Sequence, residues 1–289
     1  MDNNLETDSG RRRPLRPYPY AVSAGPPDIS LSAPVVFRGD LYGCIEQAAR
    51  AGFDAAELHL RTPDLVDAGR MREWLDRTGM SISVVATGLG FLADKLSLID
   101  DSAEVRRQAA ERLRAHIVAA SRLKCGIVIG TMRGNIPDFR RYSEYERRLV
   151  EGLKSLAELA EAKDVPLYLE AINRYEINYL HSVGETLEVV DKVGSGRLKV
   201  HIDTFHMNIE EGDLIQSIVD AKDRIGYVHI SDSNRKYPGA GHIDFRGIVQ
   251  TLKRTGYRGY LAVEILPLPN PAEAAERSVK ALDDILFSP

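Results

Sequence analysis

The sequence predicts a single (β/α)8 barrel, and two observations carry that prediction. Strand-like and helix-like segments alternate eight times over roughly 270 residues, the size and order of that fold. Four consecutive apolar strands in the second half each deliver one side chain able to bind a metal: Glu170, Asp203, His229 and Glu264. A doubly wound open sheet shares the alternation, but no GxGxxG follows the first strand and no P-loop is present. In a barrel all strand C-termini meet at one face, which would gather the four side chains into one site.

Each element has its own signal. Residues 1–17 are polar and proline-containing, carry Arg11-Arg12-Arg13, and lack the apolar core of a signal peptide. They are expected to form a disordered or loosely docked tail, with an anion- or partner-binding arm as the alternative; the barrel is expected over 18–289. Tyr20 to Ala24 is a short first strand. Gly39 to Gly52 has apolar positions at helical spacing and a closing glycine. Asp54 to Leu60 is a strand ending on Glu57-x-His59, both on the side of the site, where substrate contact is one reading. Ala68 to Gly79 is a helix with the single Trp74. Ser81 to Gly88 is the third strand, and the apolar loop after it, with Gly88 and Phe91, is expected to wall a pocket.

Glu104 to Leu123 is a long amphipathic helix. Gly126 to Gly134 is a fourth strand with glycines that let a ligand approach the backbone. Residues 143–163 form the next helix. PLYLE then ends a strand on Glu170, with Asn173, Arg174 and Glu176 in the following loop. LKVHID ends on Asp203, with His206 three residues on. IGYVHI carries His229, followed by Asn234 and Arg235, and GYLAVEIL carries Glu264. Helices separate these strands at Val183–Val193, Leu214–Arg224 and Phe245–Thr255, and Pro271 to Leu286 closes the chain.

Composition excludes several classes. With 38 basic and 42 acidic residues the net charge is −4, so no bulk pull toward nucleic acid or anionic membrane is expected. No apolar run has the length of a spanning helix. Cys44 and Cys125 show no CxxC spacing and read as buried thiols in a reducing compartment, consistent with a cytoplasmic protein.

An ionised Asp203 at the end of a buried strand is costly unless paired. A divalent cation is one partner; capping a helix or filling a polar turn is the other reading. Three carboxylates and one imidazole form a hard, oxygen-rich set suited to Mn²⁺, Mg²⁺ or Co²⁺. Glu170 and Glu264 lie on strands across the barrel, so a substrate between them shows one face to each. That suits proton abstraction next to a carbonyl, with one glutamate taking a proton and the other returning one through an enediolate. Return to the same carbon is epimerisation and return to its neighbour is aldose–ketose isomerisation; spacing does not separate them. Arg235 suits a substrate carboxylate or a developing negative charge, and His206 a substrate oxygen. Glu176 either orients these groups or forms a surface ion pair. His242 is expected at the pocket rim or, preferably, as a helix cap; His116, His181 and His201 are expected to be structural.

The segments LEAINRYE, HIDTFHMNIEE, HISDSNRKYPGAGHIDF and VEILPLP resemble the sugar epimerase/isomerase group of xylose isomerase-like barrels, which includes D-tagatose/D-psicose 3-epimerases, and most resemble 5-keto-L-gluconate epimerase-type proteins. FRGDLYGCIEQAARAGFDAAEL and ATGLGFLADKLSL add to the resemblance, which spans Tyr18 to Leu286. It implies Glu170, Asp203, His229 and Glu264 as ligands of one divalent ion, with Glu170 and Glu264 doubling as the acid–base pair. It places Glu176, His206 and Arg235 at substrate positions and implies a homodimer or homotetramer. The expected substrate is an unphosphorylated ketose or keto-sugar acid, since no glycine-rich helix entry is dedicated to phosphate. A hydroxypyruvate-type isomerase is the alternative on the same site. A metal-dependent apurinic endonuclease shares the barrel but needs more ligands and a basic face.

Overall fold

The computed structural model describes residues 16–287. Eight parallel strands run β1 Tyr20–Gly25, β2 Ala55–His59, β3 Ser81–Ala86, β4 Gly126–Ile129, β5 Leu167–Glu170, β6 Leu198–Asp203, β7 Ile225–Ile230 and β8 Leu261–Val263. Each pairs with the next, and β8 returns to β1 with Tyr20 opposite Leu261, which closes the barrel. A two-residue strand, Phe37–Arg38, lengthens the edge at β1. The outer ring is α1 Leu41–Ala51, α2 Ala68–Thr78, α3 Ala103–Leu123, α4 Tyr142–Lys163, α5 Val183–Val193, α6 Leu214–Ala221, α7 Phe245–Arg254 and α8 Pro271–Phe287. None of the described helices is long and apolar enough to cross a membrane.

Local chemistry accounts for the helix ends. Asp40, Asp67, Ser102, Asp213 and Asp244 each accept a first-turn amide as N-caps, and Ser182 with Glu185 forms a reciprocal capping box on α5. Gly52 and Gly79 end α1 and α2 in the left-handed conformation, as their positions predict. The cap of α7 is therefore Asp244. His242, expected as that cap, instead bonds Ser233 Oγ at 3.0 Å.

The main core lies between strands and helices, while a second layer fills the barrel. Inside, Ala21, Ala55 and Ala262 alternate with the large rings of Tyr168, Tyr227 and Tyr260, so small and large side chains interlock across the closed sheet. The Tyr168 and Tyr227 rings stack with centroids 5.6 Å apart. This aromatic layer is the floor on which the polar end of the barrel rests.

One expected boundary moves. The fourth strand ends at Ile129 rather than Gly134, because Gly130 turns the chain into a short 3₁₀ turn, Thr131–Arg133. After Asp203 the chain forms the helix Thr204–Glu210, the capping alternative of the sequence reading. Most of the expected tail lies outside the described residues, but Arg16 is anchored. Its Nε bonds Asp283 of α8 at 3.0 Å, its Nη1 donates to Gly52 O at 2.9 Å, and it stacks over Tyr20.

Both cysteines are free and buried, and burial pushes the Cys44 thiol up to about 11 and Cys125 to about 12. His116 of α3 is also buried; burial first, then Arg112, lowers its pKa from 6.5 to about 4. The folded-state value lies below the unfolded one, so the stability held by the neutral ring is complete above pH 6.5 and lost as pH falls toward 4. Its size is on the order of 3 kcal/mol. His116→Leu is expected to flatten that part of the acid limb in urea melts across this range. An unchanged limb would mean that the ring does not carry the acid sensitivity.

Candidate active site

Strand register assembles the site. Glu170 is the last residue of β5 and Asp203 the last of β6; His229 is the next-to-last of β7, and Glu264 follows β8 directly. Asp203 pairs in register with His229, and Glu170 with His201. In a parallel sheet, residues at matching positions project to the same face, so the side chains converge inside the barrel mouth. His229 Nδ1 lies 3.4 Å from Asp203 Oδ2, 3.4 Å from Glu264 Oε2 and 3.9 Å from Glu170 Oε1. All four predicted ligands thus surround one point.

The other face of His229 explains why Nδ1 points there. Nε2 donates to Glu57 Oε2 at 2.8 Å, and the same oxygen accepts from Tyr227 Oη at 2.9 Å, which in turn bonds Ser83 Oγ at 2.8 Å. A carboxylate on one ring nitrogen selects the tautomer and leaves the other nitrogen for a cation. His229 Nδ1 is buried with no hydrogen-bond partner among the described residues. An orphaned imidazole nitrogen ringed by three carboxylates fits a divalent cation with mixed oxygen and nitrogen ligands. Three overlapping groups with metal-binding geometry occur here: Glu170, His201 and His229; Glu57, His229 and Glu264; and Glu170, Asp203 and His206.

The electrostatics are unequal across the site. Burial, then Glu264 and Asp203, raises Glu170 well above the carboxylate range despite His229 and Arg235. Burial also opposes ionising Glu264, but His229 and Arg235 outweigh it and hold that carboxyl below its ordinary value. Burial disfavours a charged His229, yet Glu57 and Glu264 prevail and raise its pKa well above the histidine range.

Arg235 enters from the loop after β7. Its guanidinium pairs with Asp203 Oδ2 at 2.5 Å and with Glu264, and lies 4.8 Å from the centre of the Phe205 ring. Asp203 serves twice, since its Oδ1 accepts from Phe205 N at 2.7 Å and caps the helix Thr204–Glu210. Capping uses Oδ1, while Oδ2 faces Arg235 and His229 Nδ1. His206 on that helix accepts from Asn173 Nδ2 at 2.6 Å through Nδ1, which puts its ring proton on Nε2, 3.8 Å from Glu170. Burial lowers its pKa to about 4, so the ring is neutral. Asn173 also donates to Glu176 Oε1 at 3.0 Å, and Glu176 faces the pocket with a half-exposed side chain.

These groups line a cavity of about 130 Å³ whose other walls are Ile29, Pro34, Thr87, Leu89, Leu92 and Thr131. Gly88 lines it as expected, whereas Phe91 packs into the core and Leu89 and Leu92 take its place. A larger cleft of about 520 Å³ opens around Tyr168, Lys199, Lys222 and Tyr257, at the opposite end of the strands and away from these acids.

Three residues gain roles the sequence did not reveal. Glu57 lies beneath the pocket as the partner of His229, with His59 Nε2 3.1 Å from its other oxygen. His201, expected to be structural, packs edge-on against His229 with ring centres 4.2 Å apart and reaches within 3.9 Å of Glu170. Arg133 is fully buried and donates to the carbonyls of Gly130, Glu170, Tyr179 and Leu180 at 2.8–3.1 Å, locking the end of β5 to its following loop. The alternation at Glu57 was a usable signal; Arg133 had none.

Gly130 admits the base candidate rather than a ligand: a Cβ there would lie 2.5 Å from Glu170 Oε2. A carboxylate can swing away cheaply, so Gly130→Ala is expected to leave the melting temperature nearly unchanged. Turnover should fall about 10–100-fold, because misplacement near 1 Å has effects of that order. Steady-state rates alongside thermal melts check this, and full activity would show that Glu170 tolerates displacement.

Residues 45–285 match the family described as xylose isomerase-like TIM barrel. The chain belongs to that family. Two relatives of this xylose isomerase-like chain are L-ribulose 3-epimerases. The one from Methylomonas sp. is 34% identical over 76% of this chain and 76% of its own. That from Mesorhizobium japonicum is 32% identical over 78% of this chain and 76% of its own. Among solved barrels, the D-allulose 3-epimerase from Methylomonas sp. in complex with D-allulose superposes with a TM-score of 0.77 at 25% identity, covering 92% of this chain and 98% of that one.

Proposed function

We propose that this protein is a divalent-metal-dependent epimerase of an unphosphorylated ketose or keto-sugar acid. The observation that carries the reading is the meeting of Glu170 and Glu264, from strands on the two sides of Asp203 and His229, at one orphaned imidazole nitrogen beside a cavity of about 130 Å³. The curated relatives, named as ketose 3-epimerases, support a carbohydrate epimerase. Glu170, Asp203, His229 and Glu264 would hold the ion, with Mn²⁺ favoured and Mg²⁺ or Co²⁺ as alternatives. When bound, such an ion polarises a carbonyl and acidifies the neighbouring C–H.

The chain's own residues supply the rest. One glutamate takes the proton from the carbon beside the carbonyl, and the other delivers a proton to the opposite face of that carbon. Arg235 keeps N–H donors beyond those used on Asp203 and Glu264, and these face the oxygens on which charge develops. His206 presents an Nε2–H donor fixed by Asn173, and Glu176 accepts from a sugar hydroxyl. The apolar walls limit water around the proton in transit.

Deuterium incorporation by NMR tests this. The Mn²⁺-loaded protein is incubated in D₂O with ketopentoses, ketohexoses, keto-sugar acids and hydroxypyruvate. Deuterium at the carbon beside the carbonyl, with inversion and dependence on metal, is the expected result. Deuterium with a displaced carbonyl would mean an isomerase instead, and no exchange with metal bound would refute proton-transfer chemistry.

A further inference from the structure

Residues 232–243 fold around one carboxylate. Asp232, two residues beyond β7, is fully buried. Its Oδ1 accepts from the amides of Ser233 at 2.7 Å and Ile243 at 3.2 Å, and its Oδ2 from those of Gly239 and Gly241 at 2.8 Å each. The same turn is closed by backbone bonds, Asp232 N to Lys236 O at 3.0 Å and Arg235 N to Asp232 O at 2.8 Å. Four amide dipoles aimed at one carboxylate make a strong, directional anchor. Glycine is what allows the wrap: Gly239 sits at φ +87°, and a Cβ on Gly241 would lie 2.3 Å from Asp232 Oδ1.

Arg235 sits inside this loop at φ +58°, a left-handed conformation that side-chain-bearing residues seldom adopt. Its carbonyl accepts from Leu266 N at 2.8 Å, tying it to the segment just past Glu264. An arginine on a free loop would keep its rotamer freedom in solvent. Here the guanidinium is instead buried against Asp203 and Glu264.

We infer that Asp232 is the positioning residue of this site: by gathering four loop amides it holds Arg235 in the left-handed conformation from which the guanidinium faces the pocket. The inference rests on Arg235 acting on substrate as proposed above, and adds the residue that fixes it there. Asp232 donates nothing to the reaction and acts through Arg235.

A double-mutant cycle separates this from a general folding role. Asp232→Asn keeps the shape but turns an NH₂ toward amides that need an acceptor. With the ketose found to exchange in D₂O, kcat/KM is measured for wild type, D232N, R235K and the double variant. Asp232→Asn is expected to lower kcat/KM by about 100-fold, as for misplacement near 1 Å. The double variant should match R235K within about twofold, since a residue acting through another adds nothing once that other is changed. A crystal structure of D232N should show the guanidinium moved away from Asp203 and Glu264. If D232N folds poorly, Gly241→Ala, which crowds Asp232, enters the same cycle. Wild-type rates in D232N, additive losses, or an unmoved guanidinium overturn the inference alone. A wild-type rate for R235K overturns the reading of Arg235, and with it the inference.

Discussion

Glu264→Gln is expected to stop epimerisation while sparing half of the exchange chemistry. If Glu170 and Glu264 serve opposite faces of one carbon, the variant keeps a base for one epimer only. That epimer should still exchange its C–H for C–D without inverting, while its partner should not exchange at all. Net epimerisation should fall by about 10²–10⁴-fold, the range for loss of a positioned acid–base group. Glu170→Gln should show the opposite preference. The measurement is NMR in D₂O on each epimer separately, with bound Mn²⁺ quantified on the same samples, because Glu264 lies among the groups around His229 Nδ1. Exchange persisting in both epimers, or full turnover, would remove Glu264 from proton transfer.

Glu57 predicts a different signature. Its carboxylate takes Nε2–H of His229 and Oη–H of Tyr227, and although burial opposes its ionisation, His229 and His59 hold its pKa well below the usual range. Glu57→Gln removes the charge that orients the ring and raises its basicity. Mn²⁺ affinity should drop by about 10–100-fold, as for other partners of metal-binding histidines. Calorimetric titration of the metal-free protein reads this without any assay of turnover. Glu57→Leu leaves His229 Nε2 without its buried acceptor and should destabilise the fold by about 3–5 kcal/mol. Unchanged Mn²⁺ affinity in Glu57→Gln would show that the contact does not tune the site.

Much of the architecture was legible because its signals are local. Helix periodicity, Gly52 and Gly79 as stops, and strands of apolar residues depend on neighbours within one turn or one pleat. The four candidate ligands were legible for a related reason, since each stands near the C-terminal end of a strand and barrel closure does the rest. Where reading failed, the partner was distant in the chain. Glu57 meets His229 across 172 positions, and Arg133 bonds carbonyls up to 47 residues away. His201 looked structural because it stands mid-strand, two residues before the Asp203 that ends it; register with Glu170 brings it under the site.

The sequence by itself determined a barrel and which four polar side chains its second-half strands carry to one mouth, because both follow from short-range pattern and strand order. Tertiary structure decided which nitrogen of His229 faces those acids, which carboxylate supports it from behind, and how Arg235 is aimed. Those outcomes depend on tautomer, register and loop conformation, set by hydrogen bonds between residues far apart in the chain and by amides that carry no side-chain signature.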